Sequence, residues 1–277
     1  MGANERGQAK NELKLGRVMS AHQPHLLPWL GYLHKVMEAD VFVVVDHVQY
    51  ERQNYQNRNR ILTRSGPQWV IAPVHQVSRA ELIVDKRINN QKDGRTTWGQ
   101  KAFRTLECAY GKAAFFDRYA PGLEEILTRP WIRLVDLDLA LLRWHMEAFE
   151  IETPIVLSSS LKPQGAKSEM IISMCKAVGA QSYLSGNGGS RSYLDLELFE
   201  REGLQVVWQQ FQHPVYPQLG SPSGFVAGLA AVDLLFNCGP ASPSILRGES
   251  AQARKAAAEA GLGDEREAGP RASAEAL

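Results

Sequence analysis

Five polar stretches carry the side chains of this chain best suited to chemistry. The first, His22-Gln23-Pro24-His25, sets two imidazoles three residues apart. At a turn from strand into helix, such a pair lies beside free backbone N–H groups and the positive end of the helix dipole. That environment suits a phosphate and the charge it develops in a transition state. Asp46 ends the apolar run Val41-Phe42-Val43-Val44-Val45 and is followed by His47 and Gln49. A carboxylate so placed can act as a general base, hold a ribose or a metal, or simply tie down a turn. Asn57-Arg58-Asn59-Arg60, if extended, puts the asparagines on one side and two guanidinium forks on the other, and such forks fit phosphate or carboxylate. Ser185-Gly186-Asn187-Gly188-Gly189 is a glycine-rich loop in which positive φ and close backbone approach to a phosphate are expected. His213, Tyr216 and Gln218 stand in a loop stiffened by Pro214 and Pro217. His22, Asp46 and His213 are the catalytic candidates. Gln23, His25, Gln49, Asn57, Arg58, Asn59, Arg60, Ser185, Gly186, Gly188, Gly189, Tyr216 and Gln218 are candidates for binding substrate.

Other chemistries find no support. The order of residues suggests no Ser-His-Asp arrangement and contains no G-x-S-x-G elbow. Cys108, Cys175 and Cys238 are far apart and lack flanking histidines or bases. With no H-E-x-x-H or zinc-finger spacing, no metal ligand set is assigned.

The elements that must position these residues read as an α/β alternation. Val18 and Met19 open a strand, an apolar helical pattern follows from Leu26 to Met37, and residues 41–45 form a strand buried on both faces, as parallel strands are. A strand is expected at 68–74 and a largely helical insertion at about 98–150, where His145 reads as structural or exposed. Strands near 153–157, 181–184 and 204–208 alternate with helices near 167–178 and 193–203, and a last helix spans 229–236. The expected fold is a mainly parallel, Rossmann-like α/β core over residues 17–246. Its strand ends would bring the polar clusters to one edge, where open α/β sheets bind ligands. Residues 1–16 read as a disordered tail and 247–277 as a disordered or frayed helical one.

Composition bounds the rest. The 277 residues carry a net charge of +1, which gives no general argument for a nucleic-acid partner. Hydrophobic residues make up 44% of the chain and mean hydropathy is −0.27, as in an ordinary globular protein. No apolar run approaches the roughly 18 residues of a membrane span and no export signal is evident. A cytoplasmic protein with reduced thiols is expected.

Taken in order, several stretches resemble the WbqC-like family of bacterial proteins. They are His22-Gln23-Pro24 with Leu27-Pro28-Trp29-Leu30-Gly31-Tyr32, Asp46-His47-Val48-Gln49, and Asn57-Arg58-Asn59-Arg60-Ile61. Further on come Tyr183-Leu184-Ser185-Gly186 with Gly188-Gly189, Tyr193-Leu194-Asp195, His213-Pro214-Val215-Tyr216-Pro217-Gln218, and Asp233-Leu234-Leu235-Phe236-Asn237-Cys238-Gly239. The family's association with surface-polysaccharide and specialised-metabolite gene clusters implies a small-molecule transferase. A more distant likeness links the opening unit to nucleotidyltransferases with an H-x-G-H turn, although Pro24 replaces the glycine here. It implies a phosphate- or nucleotide-bearing substrate, with ATP, with or without Mg, as a candidate cofactor. Nucleotidyl, aminoacyl and acyl transfer all stay open, an aminoacyl-tRNA donor included. The alternative is a non-catalytic ligand-binding or scaffold protein of a biosynthetic assembly.

Overall fold

A computed structural model describes residues 16–188, 192, 194–220 and 224–248. Of the predicted tails at 1–16 and 247–277, residues 1–15 and 249–277 lie outside the described residues, as do Gly189 and Tyr193.

Five parallel strands form the central sheet: β1 (Val18–His22), β2 (Val41–Val44), β5 (Ile155–Leu157), β6 (Ser182–Ser185) and β7 (Gln205–Trp208). Their spatial order is β5-β2-β1-β6-β7. The chain starts in the middle, steps outward through β2 to β5, and returns to the other side of β1. This is the Rossmann-like order, and its direction reverses between β1 and β6, the place at which open α/β sheets bind ligands beyond the carboxyl ends of the strands. His22 and Ser185 end the two strands that flank this reversal.

Both faces of the sheet are covered, which explains the unbroken apolar run of β2. Phe42 and Val44 pack against α1 (Leu30–Glu38), α4 (Leu134–Ala148) and α8 (Val232–Cys238). Met19, Ala21, Val41 and Val43 pack on the other side against α6 (Ser168–Ala177) and Phe199 of α7 (Leu196–Arg201). Two short helices, α5 (Ser158–Leu161) and α9 (Ser242–Leu246), complete these layers.

Between β2 and β5 the chain leaves the sheet. It forms an antiparallel hairpin, β3 (Arg58–Thr63) with β4 (Gly66–Ile71), and then α2 (Trp98–Tyr110), α3 (Phe116–Thr128) and α4. Thr97 starts α2 with a capping box to Gln100, which satisfies otherwise orphaned N–H groups. The helical insertion is therefore present, with a hairpin in front of it. The extended form of β3 buries Asn59 and directs Arg58 and Arg60 to the opposite face, across from Ile71 and Trp69.

One expectation shifts in a way that matters for the site. The helix after the histidine turn begins at Leu30, not at Leu26. Pro28 cannot supply an N–H, and Leu27 adopts a left-handed φ of 50°, so residues 23–29 form a long irregular turn. For a bulky residue this conformation costs about 1–3 kcal/mol and persists only where neighbours enforce it. Here the Leu27 side chain is fully buried and its carbonyl accepts a bond from Asn59 Nδ2 at 2.6 Å.

Candidate functional site

The turn after β1 is held from three directions. Leu26 N–H donates to the Tyr55 carbonyl at 3.0 Å, Asn59 holds Leu27, and Ala231 N–H donates to the Pro28 carbonyl at 2.9 Å. Gln23 Oε1 accepts a bond from Gln56 Nε2, and Gln56 Oε1 accepts one from Glu51 N–H at 3.0 Å. The loop 51–56 is thereby fastened over the turn.

Within this frame four rings meet. The His22 and His25 centroids are 4.7 Å apart, edge to face, and Tyr32 from the first turn of α1 lies 5.2 Å from one and 5.1 Å from the other. Tyr55 stacks 5.4 Å from His25. Beneath them Lys35, buried in α1, donates to the Ala21 carbonyl at 3.2 Å. Burial holds the Lys35 ammonium down at about 7. Burial first, and then the neighbouring Lys35, brings His25 to about 3. His22 is held well below an ordinary imidazole by burial, then by Lys35 and His25. Three basic groups thus converge on the carboxyl end of β1, and among the described residues none forms an ion pair. Placing like charges together in a desolvated site favours their neutral forms until an anion arrives.

Tyr55 links this centre to the arginine hairpin. Its ring lies 5.8 Å from Trp69, and the Arg58 and Arg60 guanidinium carbons lie 4.4 and 5.9 Å from the Trp69 centroid. Arg58 also donates to the Gln53 carbonyl. Neither arginine has a carboxylate partner among the described residues, and both Nε atoms are buried without an acceptor.

Across the β1–β6 reversal, Ser185 is buried, and Asn187 Nδ2 donates to the Gln209 carbonyl at 2.7 Å. Neither Gly186 nor Gly188 adopts the positive φ expected of them. Neither is crowded: a Cβ at Gly188 would meet nothing within 4 Å and one at Gly186 only Gln209 Oε1 at 4.0 Å.

The remaining predicted residues are engaged elsewhere. Asp46 is fully buried and its carboxylate accepts three bonds, from Ser158 Oγ (2.9 Å), Ser159 N–H (2.8 Å) and Ser159 Oγ (2.7 Å). It anchors the start of α5 beside β2, and His47 Nδ1 lies 2.6 Å from the same Ser158 Oγ. His213 Nε2 accepts the Gly228 N–H at 3.2 Å, so its proton sits on Nδ1, which donates to the Pro214 carbonyl at 2.9 Å. Tyr216 Oη and Gln218 Nε2 both donate to Asp233 Oδ2, at 2.8 and 2.7 Å, while Tyr110 Oη donates to Oδ1 at 2.8 Å. This network ties α8 to the insertion. Asn57 Nδ2 donates to the Ala72 carbonyl at 2.8 Å, and Gln49 Nε2 to the Arg79 carbonyl at 2.6 Å.

Sequence reasoning missed Tyr32, Lys35, Tyr55 and Asp138. Lys35 and Asp138 did leave a signal, since each is a charge among the apolar positions of an amphipathic helix. Two surface depressions, of about 480 and 510 Å³, lie at His75, Arg87 and Asn89 and at Arg64, Glu107 and Lys112. Neither includes any of the converging residues.

The family model described as "WbqC-like protein family" matches residues 23–245. The chain belongs to the WbqC-like protein family. It is also 33% identical over 233 residues to "Uncharacterized protein Rv1507c" of Mycobacterium tuberculosis (strain ATCC 25618 / H37Rv), an alignment covering 81% of this chain and 95% of that protein. No solved structure gives a significant match. The matched region contains the turn from Gln23 with His25, the hairpin and the Asp233 network, and begins one residue after His22. No helix among the described residues is long and apolar enough to cross a membrane.

Proposed function

We propose that this member of the WbqC-like family is a transferase acting on a small phosphate- or nucleotide-bearing substrate, in surface-polysaccharide or specialised-metabolite biosynthesis. The observation that carries this reading is the convergence of His22, His25 and Lys35, none in an ion pair among the described residues, at the strand ends of a Rossmann-like sheet. Arg58 and Arg60 stand next to them through Tyr55 and Trp69. An anion entering this site would meet imidazoles and an ammonium that take up charge as it binds, together with forks that grip its oxygens. His22, the less deeply buried member of the pair, would face the reacting group and move a proton or stabilise developing charge.

The test is a thermal-shift screen of the full chain against nucleotides, nucleotide sugars and aminoacyl donors, followed by mass spectrometry of any hit for turnover. His22→Ala, correctly folded, is expected to abolish turnover; full activity in that variant would sink the assignment. One observation favours the second reading, a binding protein without chemistry. Asp46 and His213, two of the three expected catalytic groups, are already engaged by bonds within the fold. A tight ligand that is never converted would establish that reading.

A further inference from the structure

Below the histidine turn the fold contains three polar groups with no partner among the described residues. Both oxygens of Asp138, the Tyr32 hydroxyl and His25 Nδ1 are buried and make no hydrogen bond. The residues themselves are 1%, 2% and 7% exposed. Buried polar atoms are nearly always paired, so a cluster of unpaired ones asks what completes it. Tyr32 packs on His25, and Asp138 stands on the face of α4 whose Val135, Leu139 and Leu142 share a core cluster with Tyr32. Its carboxyl also pushes the Tyr32 and Tyr50 hydroxyls up, adding to the effect of burial.

The charges in this region are unmatched in a directional way. Asp138 has no cationic partner: Lys86, whose ammonium lies 4.6 Å from the Tyr50 centroid, is already paired with Glu81 at 2.6 Å. Among the described residues, His22, His25 and Lys35 have no anionic partner. Asp138 forms no ion pair with them, and burial holds its carboxyl well above the usual carboxylate range. A ligand with an anion at one end and an amine at the other would supply both missing partners. A water could fill the gap at Asp138, but it would bring no charge.

We propose that Asp138, with Tyr32, binds an amino group of the ligand whose anionic end sits at His22, His25 and Lys35, so that the substrate class is an amine-bearing phosphate. This rests on the anion site proposed above. It makes Asp138, 1% exposed, a binding residue that the ligand reaches by opening the fold around it.

The experiment uses two homologous series as rulers on the full chain: ω-aminoalkyl phosphates with two to five methylenes, and the alkyl phosphates of matching length. Calorimetry is expected to show at least one amino member binding tenfold or more tighter than its alkyl counterpart. In Asp138→Asn the paired members should come within threefold of each other. The wild type supplies an independent readout. An ammonium that ionises Asp138 displaces its proton, so the preferred amino member should release more protons than its alkyl counterpart across buffers of different ionisation enthalpy. No amino preference at any length, a preference that survives in Asp138→Asn, or equal proton release within a pair would each overturn the inference while leaving the anion site standing. If neither series binds, the anion site and the inference fall together.

Discussion

Lys35→Met separates a functional lysine from a structural one. The lysine is buried, donates to the Ala21 carbonyl, and forms no ion pair among the described residues. In the unfolded chain its ammonium keeps the proton up to about 10.4, whereas in the fold it gives it up near 7. Between those values the unfolded state binds more protons, so native stability rises with pH there and is lost as pH falls from about 10 towards 7. At about 1.4 kcal/mol per pH unit, the buried lysine costs the fold about 4–5 kcal/mol at pH 7. Methionine fills a similar volume without that cost but leaves the Ala21 carbonyl without its lysine donor, an offset of about 1–2 kcal/mol. The net expectation is a gain of roughly 3 kcal/mol at pH 7. It should be read by urea unfolding of both proteins across pH 7 to 10, with the gap narrowing steadily as pH rises. Ligand binding should fall in the same variant. A Lys35→Met protein less stable than wild type at pH 7, or a difference that does not change with pH, would refute the reasoning.

Other expectations follow from the same geometry. His25 is held neutral down to about 3, so the unfolded chain takes a proton that the fold refuses once pH drops below about 6.5. Stability should fall by up to about 1.4 kcal/mol per pH unit from this residue alone, and His25→Phe should flatten that acid limb in denaturant titrations. Asp46→Ala removes the acceptor of three bonds at the start of α5 and should cost about 3 kcal/mol, measured as a lower denaturation midpoint. Asp233→Leu strands the hydroxyls of Tyr110 and Tyr216 together with the Gln218 amide, and should cost about 3–5 kcal/mol.

The fold was legible because its signals are local. The doubly covered strand β2, the period of α4 and the strand-helix alternation after residue 153 each follow from side-chain patterning, and parallel order follows from the alternation. The candidate site was legible only at its edge. His22 and the arginines could be chosen because polar residues after apolar strands point to the ligand-binding edge. Asp46, His213, Tyr216 and Gln218 satisfy the same rule, but the structure gives them partners distant in sequence: Ser158 lies 112 residues beyond Asp46, and Tyr110 lies 123 residues before Asp233. No local pattern reveals that a polar side chain is already satisfied. The glycine loop shows a related limit, since composition allowed positive φ where Gly186 and Gly188 have neither positive φ nor a crowded Cβ position. Lys35 and Asp138 were overlooked for the opposite reason. They interrupt helical faces that otherwise read cleanly as core, and the interruption was itself the signal.

The central claim is that the turn after β1 is an anion site built from His22, His25 and Lys35. Calorimetric titration of pyrophosphate into the wild type and into His22→Ala at pH 7.5, in buffers of differing ionisation enthalpy, tests it most directly. The account predicts binding with net proton uptake in the wild type and affinity at least tenfold weaker in His22→Ala. Equal affinity in the two proteins, or binding without any proton uptake, would contradict it.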